Sequence, residues 1–259
     1  MDAKERERQT RARRALAEVV GSGGAKMDEL PLVPLDGMTN RNYKITAGGV
    51  NYVVRIPGEG TEEYVNRAAD EQAARLTSEI GVNAPVVFYD AKAGIQITKF
   101  IENSRSLRAP GVLDDSDVIR RAARAFNLLH TSGKSFITRF DEKDVAASYM
   151  DILRQKNARL PDGYENVQRE AEAIRDALAK SSKGLVPCHN DPAPENLVDA
   201  GNKVYILDWE FGGNNDAFWD LGDFSVESGF SREQDIIFLE AYLGHPPAAH
   251  EYGRMVLQP

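Results

Sequence analysis

Apolar residues recur along this 259-residue chain in two rhythms, and the rhythm changes near residue 100. Ahead of that point, β-branched and aromatic runs at 43–46 and 52–56 flank Gly48 and Gly49, which predicts a hairpin. Pro57 and Gly58 close the second run. Val65, Ala68, Ala69, Gln72 and Leu76 then repeat at helical spacing and predict a helix over about 62–79. Two more short strands, 85–89 and 95–100, flank a turn at 90–94. Residues 4–20, rich in Arg, Glu and Ala, favour a solvated helix that ends at Gly21, Ser22, Gly23 and Gly24.

After about residue 103 the period is helical. Asp114, Asp115 and Ser116 form a capping cluster, and Val118, Ile119, Ala122, Phe126 and Leu129 make one apolar face ending at His130. Tyr164, Val167, Ala171, Ile174 and Leu178 form a second stripe, spaced three and four. A polar-capped hairpin follows, with strands at 196–198 and 204–207 around a turn at 199–202. The last helix spans about 231–243. The change of rhythm predicts an α+β chain with a boundary near 99–102, dividing it into 1–101 and 102–259.

Composition narrows the function. A hydrophobic share of 42% with 28% charged residues is that of an ordinary soluble globule. The net charge of −8 argues against nucleic-acid or anionic-membrane partners, which need a basic face. It suits a cationic substrate, though solubility alone explains it as well. With Cys188 the one cysteine, no intrachain disulfide is possible, which points to a reducing, cytoplasmic setting. Cys188 itself reads as a small buried residue. Met1 to Val20 is charged, not an apolar signal segment, and no run approaches a membrane span. Nothing points to a homo-oligomer.

The chemistry concentrates in His189-Asn190-Asp191-Pro192-Ala193-Pro194-Glu195-Asn196, followed by Tyr205-Ile206-Leu207-Asp208-Trp209-Glu210. Asp191 is the candidate base that receives a proton from an attacking hydroxyl. Asn196 and Asp208 are hard oxygen ligands suited to Mg²⁺. The step of five from Asp191 to Asn196, then a strand-borne Asp, is the spacing of a phosphoryl-transfer loop. His189 reads as a brace for that loop, and four scattered histidines give no zinc pattern.

The stretch from His189 to Phe230 resembles the choline/ethanolamine kinases, within the aminoglycoside-phosphotransferase-like group of the protein-kinase-like superfamily. Gly37-Met38-Thr39-Asn40-Arg41-Asn42-Tyr43-Lys44 and Tyr52-Val53-Val54-Arg55-Ile56-Pro57-Gly58 resemble the amino-terminal motifs of its bacterial choline kinase branch. The resemblance spans roughly residues 30 to 245. It implies a two-lobed protein-kinase-like fold, with a small antiparallel-sheet lobe carrying one main helix and a larger, mostly helical lobe. It also implies ATP and Mg²⁺, and it gives Asp191, Asn196 and Asp208 the roles already read from their chemistry.

Within that frame Thr39 and Asn40 are expected at the ATP phosphates, and Arg55 where most kinases place a lysine. Glu71 is the expected partner of Arg55, with Glu63 a rival. Backbone at Lys99, Phe100 and Ile101 is expected to meet the adenine. For a small amino alcohol, Glu227 is the first candidate and Glu210 the second, with Trp209 and Phe211 supplying aromatic faces for a quaternary ammonium. Trp219 and Phe224 read as core, and Asp220 as a brace. Choline kinases place part of their aromatic cage on carboxy-terminal helices, and this chain stops at Arg254-Met255-Val256-Leu257-Gln258-Pro259, where such a helix would be starting. The expected activity is phosphorylation of choline or ethanolamine. The alternatives are thiamine kinase, an aminoglycoside phosphotransferase and an inactive nucleotide-binding regulator.

Overall fold

The computed structural model describes residues 3–35, 37, 40–60, 65–182 and 184–258. Five strands form one antiparallel sheet: β1 (Leu32–Leu35), β2 (Arg41–Ala47), β3 (Val50–Ile56), β4 (Val86–Asp90) and β5 (Ile95–Lys99), in the order β1-β2-β3-β5-β4. β2 and β3 are joined by Gly48 and Gly49 alone, at φ of 57° and 78°. Two successive left-handed residues make the turn whose twist matches a hairpin, and glycine adopts them without a Cβ penalty. Helix α1 (Ala3–Val20) lays Ala12 and Leu16 onto the sheet, where Tyr43, Ile45, Val54, Ile56 and Ile97 complete a buried cluster.

Helix α2 (Arg67–Ile80) starts later than the spacing predicts. Asn66 caps it by accepting from the Ala69 N–H, and Gly81 ends it in the left-handed conformation. Of the expected Val65, Ala68, Ala69, Gln72 and Leu76 stripe, Val65 and Ala69 are buried and Leu76 packs against the core, but Ala68 is exposed, and the helix also buries Asp70, Ala73, Ala74 and Thr77. Alanines on several sides flatten the hydrophobic contrast, so the inward face carries a charge the pattern does not reveal.

The second half is mostly helical. Helix α3 (Ser116–His130) packs on α7 (Arg232–Leu243), with α6 (Ala217–Ser228) beside them. Phe126, Phe224 and Phe238 meet as mutually tilted rings 5.2–6.0 Å apart at the centre of this core. Short strands β6 (Arg105–Ser106), β8 (Leu197–Asp199) and β9 (Val204–Ile206) form a three-stranded sheet, and β7 (Val186–Cys188) pairs with β10 (Gly213–Asn215). Buried Asp199 ties this region together through Arg121 of α3 and Arg105 of β6.

Helices α4 (Glu142–Gln155) and α5 (Tyr164–Ala179) form a separate hairpin, held by Arg175–Glu142 and Lys143–Asp176 pairs. The α5 helix itself is the one the spacing of Tyr164, Val167, Ala171, Ile174 and Leu178 predicts. Neither helix buries a residue, and Val167 remains 66% exposed. The last helix, α8 (Ala249–Leu257), packs on α6. Among the described residues, no helix is long and apolar enough to cross a membrane.

Candidate active site

The loop after β7 is shaped by side chains that grip its backbone. His189 donates Nε2–H to the Leu207 carbonyl at 2.8 Å, which leaves Nδ1 to accept from the Asp191 N–H at 3.3 Å. Its ring sits edge-on to Trp209, 4.8 Å between centroids. Asp220, fully buried on α6, accepts from the N–H groups of His189 (2.7 Å) and Asn190 (2.8 Å). His130 holds Asp220 from behind and is itself bonded to Tyr242. The bracing roles read for His189 and Asp220 are those the geometry shows.

Cys188, His130 and Asp220 bring three metal-type ligand atoms within 4.8 Å of one another. Both Asp220 oxygens already accept main-chain N–H bonds, and burial pushes the Cys188 thiol well above its usual range. The cluster is a hydrogen-bonded brace beneath the loop, and Cys188 is the small buried residue expected.

Asp191 and Asn196 are joined by a bond from Asn196 Nδ2 to the Asp191 carbonyl at 3.0 Å. That bond turns the amide oxygen of Asn196 away as a separate donor. The 3₁₀ turn Pro194–Asn196 leads into β8, and the Asn196 carbonyl accepts the Leu207 N–H at 2.7 Å, fixing the loop against the segment that delivers Asp208. Asp208 has φ of 62°, a left-handed turn at the end of that segment. Its Oδ1 accepts from Arg55 Nη1 at 2.7 Å while 29% of its side chain stays exposed. An amide oxygen and a partly exposed carboxylate form a hard donor set, which fits Mg²⁺.

Arg55, 4% exposed, crosses from β3 to Asp208 and also pairs with Asp70 and with the Tyr89 hydroxyl. Burial opposes its charge, but Asp70 and Asp208 outweigh that and hold it protonated. Its Nε and the Oδ1 of buried Asn40 have no partner. The Arg55 Nε–H is a donor that a phosphate oxygen would satisfy, and the Asn40 Oδ1 an acceptor for a water donating to it. The expected Arg55–Glu71 pair is not formed. Glu71 lies one residue round the helix from the buried face and bonds Arg75 at 2.9 Å. Glu63 and Thr39 lie outside the described residues. At Gly37 a Cβ would meet the Asn40 carbonyl oxygen at 2.6 Å, so only glycine fits that approach.

Asn40 donates to Glu210 Oε2 at 3.0 Å. Glu210, expected beside the acceptor, therefore joins the Arg55–Asp208 group. Burial and the nearby Asp208 charge push its carboxyl up to about 7, with Asn40 and Arg55 opposing. Trp209 is a second correction. It is 1% exposed, its indole N–H is bonded to the Ile206 carbonyl, and it packs against His189 and Phe136 as core. Phe211 is half-buried and accepts through its carbonyl from Asn190. At the expected adenine contact, the Lys99 and Phe100 N–H groups are bonded to the Pro85 and Asn51 carbonyls. The Ile101 carbonyl accepts from the Ser104 hydroxyl.

Around Asp191 the field is negative. Asp191 keeps an exposed surface, yet the protein around it strips part of its water. That partial burial pushes its carboxyl up, His189 opposes, and Asp208, Glu227 and Glu195 add to the push. Asp223, a carboxylate of the acceptor-side segment to which the sequence gives no role of its own, lies one helical turn before exposed Glu227 on α6. Burial, then Asp220, Asp191 and Glu227, push it up to about 7. Trp219, read as core, is half-buried. Its indole N–H is bonded to the Asn190 carbonyl at 3.3 Å and its ring lies 5.5 Å from Phe140. The signal for Asp223 and Trp219 was their spacing, four apart on the helix that starts at Ala217.

The chain is similar to known proteins over most of its length. The family model for the "Phosphotransferase enzyme family" matches residues 32–252. The protein LicA of Haemophilus influenzae is 27% identical over 226 residues, covering 86% of this chain, which spans 65% of LicA's own length. A solved choline/ethanolamine kinase family protein from Mesorhizobium loti superposes with a TM-score of 0.82 at 36% identity, over 96% of this chain and 80% of that one. A LicA structure in complex with AMP superposes with a TM-score of 0.73 at 26% identity, over 95% of this chain and 85% of that one.

Proposed function

The chain belongs to the phosphotransferase enzyme family, and from that premise we propose that it transfers the γ-phosphate of ATP to the hydroxyl of an amino alcohol, choline before ethanolamine. The observation that carries this reading is that Asn196, bonded to the Asp191 carbonyl, also accepts the Leu207 N–H, which fixes the loop against the segment that brings Asp208 to Arg55. The similarity to a choline/ethanolamine kinase family protein supports the acceptor class. We place the nucleotide between the 1–101 and 102–259 halves, and the reaction in the cytoplasm.

In this reading Asp191 orients the acceptor hydroxyl and takes its proton as the oxygen attacks phosphorus. Its raised pKa keeps it a better proton acceptor than an ordinary carboxylate. Asn196 Oδ1 and Asp208 would hold Mg²⁺, which when bound neutralises the phosphate charge. Arg55 offers a guanidinium fork to phosphate oxygens, and Asn40, beside unpartnered Arg55 Nε, completes that side. Adenine then has Ile101 N–H and main-chain carbonyls of 99–101 to meet. The acceptor's ammonium would sit near Asp191, Asp223 and Glu227, with Trp219 and Phe140 as the aromatic wall.

A coupled ADP-release assay with choline, ethanolamine, thiamine and kanamycin tests this. Choline- or ethanolamine-dependent turnover supports it. Turnover with thiamine or kanamycin alone reassigns the acceptor, and none above hydrolysis of ATP by water overturns the kinase reading.

A further inference from the structure

Asn190 separates the brace His189 from the base Asp191, and its bonds go to elements that carry the rest of the site. Its φ is 69°, in the left-handed region that asparagine adopts more readily than most non-glycine residues. That turn aims two successive N–H groups, of His189 and Asn190, at the single carboxylate of Asp220. The side chain is buried. Nδ2 reaches the carbonyls of Cys188 (3.3 Å), Phe211 (2.9 Å) and Gly213 (3.2 Å), and Oδ1 accepts from Asn215 Nδ2 at 3.0 Å. The Asn190 carbonyl accepts from Trp219.

Phe211 and Gly213 follow directly on Asp208 and Glu210, and Trp219 and Asp220 lie on the helix that carries Asp223 and Glu227. The buried carboxamide therefore connects the base to the metal-side segment, while the main chain of the same residue connects it to the acceptor-side helix. Resting on the kinase reading above, we propose that Asn190 is a positioning residue: its carboxamide sets Asp191 in register with the segment that follows Asp208. Removing it leaves Phe211, Gly213 and Asn215 with lost partners and lets the loop drift relative to the segment 208–213. A drift of about 1 Å between reacting groups is enough to cost on the order of a hundredfold in rate.

Asn190→Gly separates the two parts of the role. Glycine takes the left-handed φ freely but has no amide. We expect kcat to fall roughly ten- to a hundredfold, with KM for ATP within about threefold of wild type. A crystal structure of the variant should show Asp191 displaced relative to Asn196 and Asp208. Wild-type kcat with Asp191 unmoved would mean that backbone conformation alone mattered, and would overturn the proposal. If Asn190→Gly does not fold, Asn215→Ala carries the test, because it removes the partner of Asn190 Oδ1 from outside the loop. A several-fold loss in kcat at unchanged KM supports the proposal, and unchanged kcat overturns it. A wild-type chain that phosphorylates nothing in the acceptor panel sinks the kinase reading instead. In that case Asp191 moved or unmoved between wild-type and Asn190→Gly crystals decides the positioning role alone.

Discussion

Arg55 pairs with Asp70, and Glu71, the next residue on the same helix, pairs with Arg75. The difference is one step of helical rotation. It puts a fully buried carboxylate against a buried guanidinium and leaves Glu71 at the rim. Asp70→Asn should lower stability by about 1–3 kcal/mol, because a buried charged bond is lost while Arg55 keeps Asp208 and Tyr89. It should also raise KM for ATP. Glu71→Gln should stay within about 0.5 kcal/mol of wild type, as exposed pairs do. Urea denaturation with nucleotide titration checks both, and equal effects from the two variants would contradict the assignment.

Asp191 and Asp208 should separate cleanly in kinetics. Asp191→Ala should reduce kcat by several powers of ten and spare ATP binding, since in the proposed site it touches the acceptor and not the nucleotide. Asp208→Ala should lose nucleotide affinity as well, because Arg55 loses a partner and the metal a ligand. Calorimetric titration with a non-hydrolysable ATP analogue distinguishes them. Retained turnover in Asp191→Ala would remove it as the base.

Much of this arrangement is legible in the sequence where residue chemistry is local. The Gly48–Gly49 hairpin, the α3 apolar face and the Asp191–Asn196 step all rest on spacing within one element or loop. What escaped is set by tertiary placement. Asp70 is a charge on an alanine-rich inward face, and a charge read from sequence is assigned outward. Trp209 sits between acidic neighbours and reads as a ligand-facing aromatic, but it is core because His189 and Phe136 close over it. The α5 stripe has core spacing yet is left on a projecting hairpin. Asn190 carried no signal, since nothing local shows which carbonyls its amide will meet.

Glu210 tests the division of the site into nucleotide and acceptor sides. Its bond to Asn40 joins the segment after Asp208 to the start of β2. Glu210→Ala leaves that buried amide without its acceptor, which should cost about 1–3 kcal/mol of stability and raise KM for ATP. KM for the acceptor should change little. Steady-state kinetics with each substrate varied decides it: a change confined to the acceptor would return Glu210 to the acceptor side.

Asp223 should make both stability and acceptor binding depend on pH, in opposite senses. Its folded-state carboxyl lies at about 7, above the ordinary 3.8. The folded chain therefore holds a proton that the unfolded chain has released through that window. Its contribution to stability is full below the ordinary value and is lost as pH rises toward about 7. Asp223→Asn should thus stabilise the protein relative to wild type near pH 8 and make little difference near pH 4. Acceptor binding runs the other way. A quaternary ammonium needs the ionised carboxylate, so KM for choline should rise as pH falls through the same window. The asparagine variant should show a high, pH-independent KM for choline with KM for ATP unchanged. Glu227, more exposed, should contribute less, so Glu227→Gln should raise KM for choline by a smaller factor. Urea melts and choline titrations at matched pH values check the pair of trends. A wild-type KM for choline that is flat from pH 6 to 8, or an Asp223→Asn variant that keeps the wild-type slope, would show that the ammonium sits elsewhere.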